Sequence, residues 1–116
     1  MKVLTVRQPW ASLIIAGRKD VESRTRYTYH RGRLAIHAGL QIDPEGVRAH
    51  PHLARQLEVE RWRGFILGTV TLVDCIDDSS SEWANPGAWH WLLSNPRPYA
   101  RPVPAKGKLG LWNWQR

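Results

Sequence analysis

The sequence predicts an α+β fold, a small β-barrel of about five to six strands with two or three short helices. Many short runs have β-type alternation, only a few short stretches read as helices, and one long β-branched run at residues 64–77 is apolar on both faces. Closure into a barrel would remove exposed edge strands. The 116 residues have the size of one domain, 1–116, and 42% hydrophobic with 23% charged residues is ordinary globular composition.

In chain order, "KVLTVR" reads as a strand. Pro9 at a first helical position opens a helix whose Trp10, Leu13 and Ile14 recur at i, i+3 and i+4, and Gly17 closes it. Residues 20–29 alternate as a strand, with Glu22, Arg24 and Arg26 on one face. After the Arg31-Gly32 turn, "RLAIHA" is the next strand. Asp43-Pro44-Glu45 resembles a helix cap, Pro51 is expected to break that segment, and "HLARQLEVERW" follows as the better helix. The apolar run 64–77 is the expected spine of the sheet. Beyond the Asn85-Pro86-Gly87 turn, "AWHWLLS" reads as a strand, "NPRPYARPVP" as an extended loop and "KLGLWNWQ" as the closing strand.

No apolar run approaches the ~18 residues of a membrane span, and Lys2 and Arg7 come too early for a signal-peptide core, so a cytoplasmic protein without membrane contact is expected. The single Cys75 lies in the apolar run and reads as a buried thiol. No phosphate loop, dinucleotide fingerprint or nucleophile elbow is present, which excludes ATP, NAD and serine-hydrolase chemistry of those types. His50 and His52 flank Pro51 without a metal-ligand pattern, so neither metal nor cofactor is expected.

The formal charge of +7 divides into +6 over residues 1–36, −4 over 37–94 and +5 over 95–116. If the fold joins the two basic ends, the positive face suits a phosphate-bearing partner; otherwise it is a solvated surface. Seven tryptophans include two pairs spaced by two, Trp89 with Trp91 and Trp112 with Trp114, each expected on one sheet face as core wall or stacking platform. After the Gly17 helix stop, Lys19, Glu22 and Arg24 can converge, Glu22 holding its cationic neighbours while donors stay free for an oxyanion or base edge. The competing reading is a surface ion-pair ladder. His37, expected beside this charged strand, is a further candidate, ahead of His90.

"RQPWASLIIAGRKDVESR" resembles the signature of the ASCH domain, a PUA-like fold, in which an R-Q-P-W/Y-A start, a helix and a G-x-K-x-x-E-x-R motif follow one another. The apolar strand and the tail "NPRPYARPVPAKGKLGLW" extend the resemblance over nearly the whole chain. It implies a β-barrel with a cleft beside the first helix that binds RNA or a modified nucleoside. By position, the cleft residues implied are Arg7, Gln8, Pro9, Trp10, Lys19, Glu22 and Arg24, with Asn95 and Arg97 nearby. Some ASCH relatives are N4-acetylcytidine amidohydrolases that use a Lys, a Thr three residues later and a distant Glu. Here Glu22 occupies the Thr position, a poor nucleophile for an amide but a reasonable general base, and Asp74, Asp77 and Glu82 are all open as the distant acid. Ribonuclease activity within the family implies a further alternative, in which Lys19 would stabilise a pentacoordinate phosphate and Glu22 would accept the 2′-hydroxyl proton. Two functions therefore stand side by side: a module binding RNA or a modified nucleoside, and a small hydrolase acting on the same ligand. Protein partners are not legible.

Overall fold

The computed structural model describes residues 1–115 and has an α+β fold of six strands and three short helices. Strand β1 spans Lys2–Gln8, helix α1 Trp10–Ile15, β2 Val21–Arg24, β3 Gly32–Ile42, α2 Pro44–Ala49, α3 Pro51–Gln56, β4 Phe65–Ile76, β5 Trp89–Pro104 and β6 Leu111–Asn113. They form one sheet in the order β2-β5-β4-β3-β1-β6. All pairs are antiparallel except β1 with β3, which run parallel.

Strand alternation sorts the apolar residues into two layers. Leu4, Val6, Leu34, Ile36, Val70, Leu72 and Trp91 join Ala11, Ile14 and Ile15 of α1 in the main core, and Val3, Ala35, Ile66 and Trp112 form a smaller core. Burial on both faces is what the continuous apolar runs of β1, β3 and β4 require. Trp89 packs with Trp91 against the main core and Trp114 with Trp112 against the smaller one, so each tryptophan pair does share a side. Cys75 is buried in the main core.

The expected closure into a barrel does not occur. β2 pairs only with β5, and β6 only with Lys2, Val3 and Leu4 of β1, leaving both as edges. β5 begins at Trp89, the partner of Arg24, so the chain beyond Arg24 has no strand to pair with, and the strand expected over residues 20–29 stops there. In place of a backbone ladder, the Arg24 guanidinium reaches across the gap and donates to the Thr5 carbonyl at 2.9 Å.

Two other expectations are corrected. The proline-rich stretch is not a loop: β5 runs through Pro96, Pro98, Pro102 and Pro104. Because β2 covers only Trp89–Leu92, the later part of β5 pairs with β4 alone, and prolines are tolerated where one side of a strand needs no ladder donors. A side chain at Gly68 would meet the Arg97 carbonyl at 2.3 Å, so glycine lets this strand lie close. Pro51 breaks the first helical segment as expected, but it does so by opening α3 as its first residue, and α3 ends at Gln56, short of Trp62.

Candidate functional site

The gap between β1 and β2 is a cleft of about 690 Å³. Its walls come from Thr5, Val6 and Arg7 of β1, from residues 22–25, from the Glu82–Asn85 loop and from Lys108 and Leu109 just before β6. The candidate site is thus the seam that the unclosed sheet leaves open.

Local geometry delivers Lys19 to this seam. At the C-terminus of α1, Gly17 takes φ +77°, its N–H bonds the Ile14 carbonyl at 3.0 Å, and the Arg18 N–H bonds that of Leu13 at 2.9 Å. This is a Schellman stop, for which glycine is the favoured residue. The Lys19 N–H also bonds Leu13 O, at 3.2 Å, and its side chain turns into the cleft. There Nζ donates to the Val21 carbonyl and to Glu22 Oε1, the latter at 3.2 Å. Glu22 Oε2 accepts from Arg24 Nε at 2.9 Å. Glu22 and Arg24 share a face of β2, as the alternation predicts.

The three side chains are only 8%, 11% and 28% exposed, which removes them from the class of surface ion pairs. An ammonium has three donors and a guanidinium five. Lys19 therefore keeps one N–H, and Arg24 several, without a protein acceptor among the described residues.

Aromatic rings complete the constellation. Lys19 Nζ lies 5.8 Å from the Trp10 ring centroid and 5.9 Å from that of Trp83, and the two indoles meet edge-on at 6.2 Å. Trp10 is aimed by its Nε1–H, which donates to Asp43 Oδ2 at 3.1 Å. This hydrogen bond is the main reason the Asp43 carboxyl lies below its ordinary pKa. The other Asp43 oxygen caps α2 by accepting from the Glu45 N–H. Trp83 is held by a loop that the buried His90 pins, its Nε2–H donating to the Asn85 carbonyl at 2.7 Å and its Nδ1 accepting from Ser79 N.

The structure brings Arg7, Trp10, Lys19, Glu22 and Arg24 together with Glu82, one of the three open acids, and places Gln8, Pro9, Arg26, His37, Asn95 and Arg97 outside the cleft lining. Gln8 is fully buried: its Oε1 accepts the Ser12 N–H at 2.9 Å, a cap Pro9 cannot supply, and its Nε2 bonds Ser12 Oγ and the Val59 carbonyl. Pro9 is buried against Gly46. Arg26 lies past the end of β2, where its carbonyl accepts from Trp91 Nε1 at 3.0 Å. His37 is buried behind the cleft, and desolvation lowers its pKa. Asn95 takes φ 51° where the β4–β5 register shifts, and Arg97 pairs with Thr69 beyond it. Of the three open acids, Glu82 lines the cleft, Asp74 binds Arg31 at 3.2 Å, and Asp77 lies outside.

Thr5, Asp43, Trp83 and Lys108 are among the cleft residues that sequence reasoning did not assign to the site. A tryptophan in an otherwise polar loop is the one signal that singles out Trp83. Arg7, Lys19, Arg24 and Lys108 face Glu22, Asp43 and Glu82, four cations against three carboxylates, so the cleft offers donors and acceptors in near balance. Among the described residues no three His, Cys, Asp or Glu side chains are arranged to hold a metal ion, and no helix is long and apolar enough to cross a membrane.

The chain matches the ASCH domain over residues 4–102. It is 35% identical to mouse and 36% identical to human Activating signal cointegrator 1, each aligned over 94% of this chain and 21% of the relative. The chain therefore spans about a fifth of the length of these relatives. Among solved structures, ASCH from Zymomonas mobilis superposes with a TM-score of 0.61 at 17% identity, over 99% of this chain and 87% of that one. A tyrosine-to-phenylalanine variant of that protein gives 0.59 at 16% identity, over 99% and 89% of the two chains. At these identities the structural likeness speaks to the fold.

Proposed function

The chain belongs to the ASCH domain family, and on that premise we propose that the open seam between β1 and β2 binds RNA or a modified nucleoside. We read residues 1–116 as one such domain, acting in the cytoplasm. The observation that carries this reading is the Lys19 ammonium, oriented by Glu22 and the Val21 carbonyl, with one donor spare and two indoles beside it. A nucleobase presents an aromatic face and an edge of alternating donors and acceptors. Trp10 and Trp83 offer the stacking surfaces, Lys19 and Arg24 the donors, and Glu82 an acceptor. Arg7 and Lys108 at the cleft wall serve the phosphates.

A hydrolase is the second reading, favoured by one observation: of the three candidate distant acids, Glu82 lines the same cleft as Lys19 and Glu22. In that reading Glu22 accepts a proton from water or a 2′-hydroxyl, and Lys19 stabilises the developing negative charge. Each Glu22 oxygen already accepts one hydrogen bond from a cation, which favours binding as the first reading.

The test is a screen of the purified protein against modified nucleosides and short single-stranded RNAs, read by equilibrium binding and by product formation. Binding is expected at low salt, and RNA affinity should fall roughly tenfold or more over a few-fold rise in salt. No binding to any of these ligands, or an RNA affinity indifferent to salt, would overturn the reading.

A further inference from the structure

The segment that leaves the cleft carries two exposed tyrosines, Tyr27 and Tyr29, that belong to neither core. Thr25 lines the cleft and residues 26–33 follow it directly. Tyr29 is 90% exposed, its ring 4.8 Å from that of Tyr27, which in turn stands 5.0 Å from Trp89. Trp89 packs on the main core and is the register partner of Arg24, so the row is anchored beside the cleft and runs outward into solvent.

Its backbone is fixed at several points. Trp91 Nε1 holds the Arg26 carbonyl, and Thr28 Oγ1 accepts the His30 N–H. Arg31 binds the Thr28 and His30 carbonyls, the Tyr27 hydroxyl and Asp74. Arg31 is thereby a brace, its guanidinium 5.7 Å from the Tyr27 centroid. Arg26 and Arg33 are exposed, and no side-chain partner occupies them among the described residues. Two exposed tyrosine rings that continue outward from the half-buried Trp89, set between two guanidiniums with no side-chain partner among the described residues, have the make-up of a single-strand stacking platform.

We propose that residues 26–33 form a second contact surface for single-stranded RNA, on which a base flanking the nucleotide in the cleft stacks against Tyr29 while Arg26 and Arg33 meet its phosphates. Tyr29 lies four positions beyond Thr25, at most about 14 Å of chain, a span compatible with a neighbouring nucleotide. The proposal rests on the reading of the cleft above and deepens it: the ligand is a nucleotide within a strand and not a free nucleoside.

The experiment compares a fluorescently labelled ten-nucleotide single-stranded RNA of mixed sequence with the corresponding mononucleosides. Wild type, Tyr29→Ala, Tyr29→Phe, Arg26→Ala/Arg33→Ala and Lys19→Ala are measured, with the folded fraction of each taken from its melting curve. Tyr29→Ala should weaken RNA binding about tenfold, within the range for loss of one base stack, and leave nucleoside binding unchanged. Tyr29→Phe should bind RNA within twofold of wild type, and the double arginine variant should flatten the salt dependence. Equal RNA affinity for Tyr29→Ala and wild type overturns the platform. If Lys19→Ala then still loses binding, the cleft reading survives that result. Nucleoside binding without RNA binding likewise overturns the platform alone, and failure to bind either ligand overturns both.

Discussion

Two buried polar networks flank strand β1, and they differ in whether they close. Behind the cleft, Trp112 Nε1–H donates to Thr5 Oγ1 at 3.0 Å, Thr5 donates to His37 Nδ1 at 3.2 Å, and His37 Nε2–H donates to the Ala105 carbonyl at 2.7 Å. Both ring nitrogens of His37 are matched, which fixes a neutral tautomer, in accord with a pKa lowered by burial. In the seam, Lys19, Glu22 and Arg24 are also buried or nearly so, but their chain ends in spare N–H groups facing the cleft. A closed network holds structure together. An open one still has hydrogen bonds to give, and desolvating three charges is a costly way to obtain stability alone.

The largest way to break this contrast is Glu22→Gln, which leaves two cations facing a neutral amide. It should lower stability by about 3 kcal/mol and weaken ligand binding at least tenfold per folded molecule, read by denaturant unfolding and titration. His37→Ala should cost about 2 kcal/mol, through the lost ring and the unmatched Thr5 and Ala105 groups, while folded protein binds ligand as wild type does.

A smaller effect comes from pH. Because burial lowers the His37 pKa, the unfolded chain takes up its proton first as pH falls. The stability associated with the neutral ring is therefore complete above about 6.5 and is lost as pH drops from there toward the folded value. Melting curves between pH 8 and 5 should show this slope, and it should shrink in His37→Gln. Least affected is the exposed Glu58–Arg61 pair, with side chains 54% and 64% exposed: the same Glu→Gln change at Glu58 should shift stability by less than about 0.5 kcal/mol.

How much of this was legible in the sequence follows from how local each feature is. The Gly17 stop and the alternation of Glu22 with Arg24 are properties of a few consecutive residues, so the charged unit can be read directly. Its burial cannot, because the cover comes from Trp83 and from the unclosed edge of β1, residues far apart in the chain. Trp83 reaches the cleft through His90–Asn85 and Ser81–Asp20 hydrogen bonds, and Lys108 through the β1–β6 pairing. Gln8 and His37 show the opposite limit: a polar residue in an apolar run looks alike whether it serves a ligand or the core, and only its complete set of partners separates the two. The proline-rich strand was hidden because prolines deny a ladder on one side only, and one side is all that stretch of β5 uses.

The most direct test of the seam as the ligand site uses the indole N–H signals of the tryptophans in a two-dimensional ¹H–¹⁵N spectrum, assigned by single Trp→Phe variants. Titration with the ten-nucleotide RNA should move the Trp10 and Trp83 signals and leave that of Trp62, which packs on Phe65 and does not line the cleft, in place. Movement of Trp62 with Trp10 and Trp83 unchanged would contradict the account.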